Sequence, residues 1–231
     1  MKSSDLLIII PAYNEEGTIE NVVKNIITNY SQYDYVIIND GSKDKTSAIC
    51  HNNGYNIVDL PVNLGLAGAF QTGLRYAYEQ GYKKAVQFDA DGQHLPEYIS
   101  GLEEKMDEGY EVVIGSRFVT KKRETSLRMM GNILISAAIK LTTGKTINDP
   151  TSGMRMFSEG LIKEFALNIN YGPEPDTVSY LIRHGVKVAE AQVQMEERQA
   201  GESYLTLSRS IQYMTHMFVS ILIIQNFRKR G

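Results

Sequence analysis

Val86-Gln87-Phe88-Asp89-Ala90-Asp91-Gly92-Gln93-His94 ends an apolar run in two aspartates one residue apart, with a glycine turn behind them. Hard carboxylate oxygens at the carboxyl end of a strand suit Mg2+ or Mn2+, and such an ion in turn suits a diphosphate. The pattern points to chemistry on a phosphorylated donor. An EF-hand is excluded, because counting from Asp89 puts His94 where the loop needs glycine and Ser100 where it needs glutamate. His94 reads as a turn residue, and the oxygen character of the group argues against a histidine-based zinc centre. Paired carboxylates also occur in solvated turns, so this pair draws its meaning from the strand before it.

Three further groups invite the same question. Pro11-Ala12-Tyr13-Asn14-Glu15-Glu16 is a turn and a helix start, with Asn14 able to cap and two glutamates favourable in the first turn. The same residues can set Tyr13 against a nucleobase while first-turn amides hold polar atoms. Asp40-Gly41-Ser42 is open to both readings. Arg117, Arg128 and Arg198 fall in or beside predicted loops; surface arginines are mostly solvated, yet arginine is also the bidentate partner of phosphate. Gly65-Leu66-Ala67-Gly68 does not supply the G-x-G-x-x-G of a dinucleotide site.

These residues need a scaffold. Leu6–Ile10 reads as a strand buried on both faces, followed by a helix with Ile19, Val22, Val23, Ile26 and Ile27 on one side. Strands are predicted at Tyr35–Ile38, Asn56–Val58, Ala85–Phe88, Glu111–Ile114 and Val186–Gln194, and helices at Lys43–Asn53, Gly65–Glu79, Pro96–Asp107, Ser126–Leu141, Ser158–Ala166 and Asp176–His184. Asn148–Arg155 and Glu196–Ser203 read as loops. The β-α alternation indicates an α/β fold with a mostly parallel sheet wrapped by helices. The turns at Tyr13, Asp40, Asp89 and Arg117 each follow a strand, so they converge on one sheet edge, where ligands of such folds bind.

The 231 residues, 42% hydrophobic and 22% charged, suffice for one large domain with a packed core. A net charge of −3 gives no case for nucleic acid. The lone Cys50 excludes an internal disulfide and fits a reducing, cytoplasmic setting. The first apolar run is too short for a signal-peptide core. Near the carboxyl end, Ile211, Met214, Phe218, Ile221, Leu222 and Gln225 keep helical spacing, Arg209, Gln212 and His216 interrupt any span of the ~20 apolar residues a membrane needs, and Arg228-Lys229-Arg230 follows. This segment either packs on the body or lies on an anionic membrane surface. The chain thus divides into a body at 1–204 and a helical appendage at 205–231.

Taken together, the segments resemble the family 2 inverting glycosyltransferases of the GT-A fold, and within them the polyprenyl-phosphate sugar synthases of the dolichol-phosphate mannose type. The matching stretches are Ile10–Glu16, Asn39–Ser42, Asn63–Gly65 with Gly68–Ala77, Asp89–Gln93, Gly115–Phe118, Asp149–Arg155 and Arg198–Ser203. Each is common alone; their order and spacing carry the resemblance. It implies that Pro11, Tyr13, Glu15 and Asp40 hold the nucleoside of a sugar nucleotide, with Ala12, Gly68 and Ala90 lining the nucleotide site. It implies a metal held by Asp89, Asp91 and Gln93, phosphate contacts from Arg117 and Arg128, closure by Arg198 and Ser203, and Asp149 near the reacting centre. Asp91, Asp149 and Arg117 are the expected catalytic residues. Tyr204 departs from the lysine the family often carries there, so a phosphate contact is either missing or supplied elsewhere; Lys121-Lys122-Arg123 is a source for it or only a solvated charge run.

The expected reaction moves a sugar, with inversion, from a nucleotide-diphosphate donor to an acceptor. A UDP-sugar, glucose or N-acetylglucosamine, is the donor expected, and a polyprenyl phosphate the acceptor. A lipid phosphate, whose second pKa is about 6, needs little deprotonation. A hydroxyl acceptor instead requires a general base, for which Asp149, Glu174 and Asp176 are the candidates. Two other readings stay open: a family 2 transferase acting on a sugar hydroxyl of a cell-surface polysaccharide, and a non-catalytic nucleotide-sugar-binding subunit. The paired membrane helices of many relatives are missing, so the expected place is cytoplasmic and peripheral at the inner face of the cell membrane, attached by the last helix or a small membrane-protein partner. Oligomeric state stays open.

Overall fold

A computed structural model describes residues 3–121, 127–168, 172–196 and 207–226. The strands are β1 Leu6–Ala12, β2 Asp34–Asn39, β3 Ile57–Asp59, β4 Lys84–Gln87, β5 Val112–Ser116, β6 Arg155–Ser158 and β7 Val188–Gln192. The helices are α1 Ile19–Asn29, α2 Thr46–Asn52, α3 Gly65–Glu79, α4 Ile99–Asp107, α5 Leu127–Thr143, α6 Glu159–Leu167, α7 Pro175–Arg183 and α8 Leu207–Leu222. Among the described residues the strands form one sheet in the order β3-β2-β1-β4-β6-β5-β7. All pairs are parallel except those of β6, which runs antiparallel to both β4 and β5.

Strand β6 corrects the sequence reading, which left Arg155 in a loop and began a helix at Ser158. Arg155-Met156-Phe157-Ser158 is short, polar at both ends and without a run of alternation. The signal for it is topological. The α4 crossover carries the chain from β4 past one strand width to β5, and the amides and carbonyls facing that gap need partners. β6 fills it, pairing Val86 with Met156 on one side and Val113 with Met156 on the other.

The continuous run Leu6–Ile10 is buried throughout because both sheet faces are covered. Leu7 and Ile9 face α3, α6 and the α5–α8 layer, while Ile8 and Ile10 face α1 and α4. Gly73 lets α3 close onto β1, since a Cβ there would sit 2.2 Å from Ile9 Cγ2. Helix α8 packs against α5 and α7: Met217 and Ile221 enter the core, and Ser220 and Gln225 donate to Asp176 Oδ2 at 2.7 and 2.9 Å. Among the described residues no helix is long and apolar enough to cross a membrane. Strands β1, β2, β4 and β5 run the same way, so Tyr13, Asp40, Asp89 and Arg117 leave the sheet at one edge, as the alternation predicts.

Candidate active site

The β1–β2 side of this edge is laced by side chains that bond the backbone of the neighbouring loop. Asn14, held at φ 57°, donates its N–H to Ser42 Oγ at 3.0 Å, and its Oδ1 accepts from Lys43 N–H at 2.8 Å. Glu15 N–H donates to Thr46 Oγ1 at 2.8 Å and Glu16 N–H to Asp44 Oδ2 at 3.0 Å, while Lys45 N–H returns to Glu16 Oε2 at 2.9 Å. A cavity of about 480 Å³ opens over this lacing, walled by Asn14–Thr18, Lys43 and Asp44. Asp40 is buried below, its N–H donating to Ala12 O at 2.8 Å and its Oδ1 accepting from Leu64 N–H at 2.7 Å. Gly41 permits that approach: at φ 66° a side chain is strained, and a Cβ would stand 2.8 Å from Asn63 N. Pro11 and Tyr13 are half-buried at the same edge, beside buried Ala12. Gly68 has a packing reason as well, since a Cβ there would meet Leu64 Cβ at 2.5 Å.

At the end of β4, Ala90 and Asp91 are buried, whereas the Asp89 carboxylate keeps 34% exposure. Asp91 Oδ1 accepts from Gln93 N–H at 3.0 Å, and Gly92 turns the chain at φ 81°. Asp89 N–H donates to His94 Nδ1 at 2.9 Å, so that nitrogen is unprotonated and the ring proton lies on Nε2, 3.4 Å from Asp89 Oδ2. His94 is therefore a buried brace beneath Asp89, a more definite part than that of a turn residue. Gly153 lies opposite, where a Cβ would come within 2.9 Å of Asp89 Oδ2. Its bareness leaves space beside the carboxylate. Two carboxylates and the Gln93 amide fit a hard cation that takes its remaining ligands from water and a diphosphate. Among the described residues no three His, Cys, Asp or Glu side chains form a self-sufficient cage.

The β5 side is built on Asp149, which is wholly buried. Arg117 grips it with Nε on Oδ2 at 2.7 Å, Nη2 on Oδ1 at 2.8 Å and the backbone N–H on Oδ2 at 3.1 Å. Asn132 of α5 adds Nδ2 on Oδ1 at 3.0 Å. The carboxylate holds the Arg117 guanidinium above its ordinary pKa, with burial acting against it. Glu190 of β7 accepts from Asn148 N–H, Asn148 Nδ2 and Asp149 N–H, each at 2.8 Å. Arg155 is buried and gives Nε to Ser152 O at 3.0 Å, Nη2 to Pro150 O at 2.7 Å and Nη1 to Glu174 O at 3.2 Å, so burial lowers its pKa. The 149–155 segment is thereby pinned between Arg117 on one side and Asp89 on the other.

The other nominated carboxylates are engaged too. Glu174 accepts from Tyr213 Oη, and Asp176 accepts from α8. Arg128 lies in the first turn of α5, its side chain outside the described residues, as are Arg198, Ser203 and Tyr204. The described chain stops beside the site before that last segment: Gln93 Nε2 donates to Glu196 O at 3.3 Å, and Glu196 N–H to Gln93 O at 3.0 Å. Sequence reasoning missed His94, Asn132 and Glu190 as parts of the site. Only His94 had a local signal, being five residues from Asp89 across a glycine turn.

The glycosyl transferase family 2 model matches residues 7–165. The UDP-N-acetylglucosamine–dolichyl-phosphate N-acetylglucosaminyltransferase of Methanococcus voltae is 36% identical over 179 residues, covering 68% of this chain and 71% of the relative. The polyprenol monophosphomannose synthase of Mycolicibacterium smegmatis is 27% identical over 213 residues, covering 87% of this chain and 80% of the relative. Among solved structures, glucosyl-3-phosphoglycerate synthase from Mycobacterium tuberculosis, in complex with Mn2+, UDP and phosphoglyceric acid, aligns with a TM-score of 0.73 at 20% identity, covering 98% of this chain and 80% of that one. That likeness establishes the shared GT-A fold.

Proposed function

Since the chain belongs to glycosyl transferase family 2 and is a glycosyltransferase, we propose that it moves a sugar, with inversion, from a UDP-sugar to a polyprenyl phosphate. One observation carries the choice of acceptor. Asp149, Glu174 and Asp176, the carboxylates nominated from the sequence to activate a hydroxyl, all accept hydrogen bonds from other groups. A phosphate acceptor needs no such base, because it arrives largely ionised at neutral pH. Relatives named for dolichyl-phosphate and polyprenol acceptors support the same choice.

Tyr13 and Glu15 at the end of β1, with buried Asp40 beneath them, are the residues that would hold the nucleoside, which orients the donor before reaction. Asp89, Asp91 and Gln93 are the residues that would hold Mg2+ or Mn2+. That ion supplies charge neutralisation on the departing diphosphate. Arg117 stands across the segment from Asp89, its position fixed by Asp149, and its cation stabilises phosphate charge as the sugar–phosphate bond lengthens. The acceptor oxygen attacks the opposite face of the anomeric carbon, and the nucleoside diphosphate leaves with the bonding pair. Asp149 is a positioning residue for Arg117.

The test is to incubate the protein with Mn2+, a panel of nucleotide sugars and a short-chain polyprenyl phosphate, then extract lipid. The expected result is one glycosylated lipid, formed from a uridine donor and lost in Asp91→Ala. Turnover onto a soluble saccharide with none onto the lipid overturns the proposal.

A further inference from the structure

Strand β7 turns one side toward the Arg117–Asp149 pair. Successive side chains of a strand alternate between faces, so Val188, Glu190 and Gln192 share one. Val188 enters the core on that face, and Glu190 holds the backbone of Asn148 and Asp149. Gln192 comes next. It is half-buried and stands opposite Ser116 in the β5–β7 ladder, one residue short of Arg117. Its amide makes every bond that an amide can. Nε2 donates to Arg117 O at 3.1 Å and to Val193 O at 2.8 Å, while Oε1 accepts from Thr120 N–H at 2.8 Å and from Thr120 Oγ1 at 3.0 Å. The network fixes which way the amide faces, because the Thr120 N–H only donates and the two carbonyls only accept.

We infer that Gln192 is a positioning residue for the transfer reaction, acting through Arg117. Asp149 fixes the Arg117 side chain and its N–H. Gln192 fixes the carbonyl of the same residue and ties it to Thr120, which closes the turn that follows β5. The Arg117 backbone is thus held on both sides of its Cα. A guanidinium at the end of a long side chain amplifies a small backbone shift, and a misplacement of about 1 Å costs up to about a hundredfold in rate. The Phe118 ring, in the same turn, lies 5.2 Å from Arg117 Cζ, so closing the turn also sets an aromatic face against the cation. This inference rests on the reading that Arg117 faces the departing diphosphate, and adds the residue that holds it there from β7.

The experiment measures nucleoside diphosphate released from the UDP-sugar with Mn2+ and a short-chain polyprenyl phosphate, a readout that counts hydrolysis as well as transfer. The variants are Gln192→Ala, Gln192→Glu, Arg117→Lys and the Gln192→Ala/Arg117→Lys double. Gln192→Ala is expected to lower kcat about tenfold or more and to leave the donor KM within about twofold, because positioning acts on the transition state. Gln192→Glu keeps an acceptor for Thr120 but sets a second carboxylate oxygen against two carbonyls, and should fall at least as far. In the Arg117→Lys background Gln192→Ala should cost less than about twofold, since its effect passes through the arginine. A residue that merely ties down the edge strand lowers kcat equally in both backgrounds, and that outcome overturns the inference. So does a crystal structure of Gln192→Ala in which the 117–120 turn and the Arg117 side chain keep their wild-type positions. If Arg117→Lys alone retains the wild-type kcat, the reading of Arg117 fails and takes the inference with it. If Arg117→Lys is impaired while Gln192→Ala matches wild type, only the role of Gln192 fails.

Discussion

The β1–β2 side of the site rim is fastened by short polar side chains reaching backbone amides near the surface, whereas the β5–β6 side is fastened by charges taken out of water. On the first side Asn14, Glu16 and Asp44 share the holding among several modest bonds. Hydrogen bonds of this sort contribute about 0.5–1.5 kcal/mol each, and water replaces them readily. On the second side buried Asp149 and half-buried Arg117 hold each other, while Glu190 and buried Arg155 hold the backbone of the 148–155 segment. Removing one member there leaves another charge or a row of donors stranded. The difference separates two tasks. In the proposed reaction the β1–β2 side can yield slightly as the donor enters, while Arg117, which would face the developing phosphate charge, is fixed beforehand.

The largest expected effect comes from breaking the buried pair. Asp149→Ala should lower stability by about 3–5 kcal/mol, read from the urea midpoint, because it leaves the Arg117 guanidinium and the Asn132 amide without their acceptor. Asp149→Asn keeps the shape, and the asparagine carbonyl still accepts from Arg117. Its loss in kcat should therefore stay well below the ~10⁴-fold upper range of general acid–base catalysis. A collapse in kcat with unchanged stability would instead assign Asp149 to proton transfer. Glu190→Ala ranks next, at about 2–3 kcal/mol, since it strands the N–H groups of Asn148 and Asp149. If its midpoint matches wild type, the buried side is not the rigid one.

How far the sequence revealed each side follows from the same division. The lacing residues lie within Tyr13–Glu16 and Ser42–Thr46, immediately after two apolar strands, so a local reading locates both turns and the β-α order. It also locates Asp89 and Asp91, because strand, carboxylates and glycine turn are contiguous. The buried side is assembled from distant stretches: Asn132 meets Asp149 across 17 positions and Glu190 meets it across 41. Nothing in the composition of α5 or β7 marks those two residues as partners. Strand β6 is hidden for the same reason, since its place is dictated by the gap between β4 and β5. For α8, spacing gave the helix but left open whether its apolar set packs on the body or lies outward; Ile221 and Gln225 are buried and Met214 packs against the core, which only the tertiary arrangement decides.

The smallest effects belong to the β1–β2 side. Asp44→Ala should cost about 1 kcal/mol, the usual value for a lost capping carboxylate or hydroxyl, and raise KM for the donor with kcat nearly unchanged. A fall in kcat of the size expected on the buried side would erase the contrast. The acid limb of stability sharpens the point. Burial opposes ionisation of Asp44, yet bonds from the Thr46 hydroxyl, Thr46 N–H and Glu16 N–H prevail and lower its pKa. Asp59 behaves alike: burial is outweighed by Asn39, His51 and Ser47. Their folded values lie below the unfolded one of about 3.9, so their contribution is complete above that pH and lost as pH falls through the folded values. Wild type should therefore lose stability below about pH 4, and Asp44→Asn, which has no carboxylate to protonate, should lose less over the same interval. Chemical denaturation at several pH values reads the slopes, and parallel slopes would mean that Asp44 holds the two loops together no better as a carboxylate than as an amide.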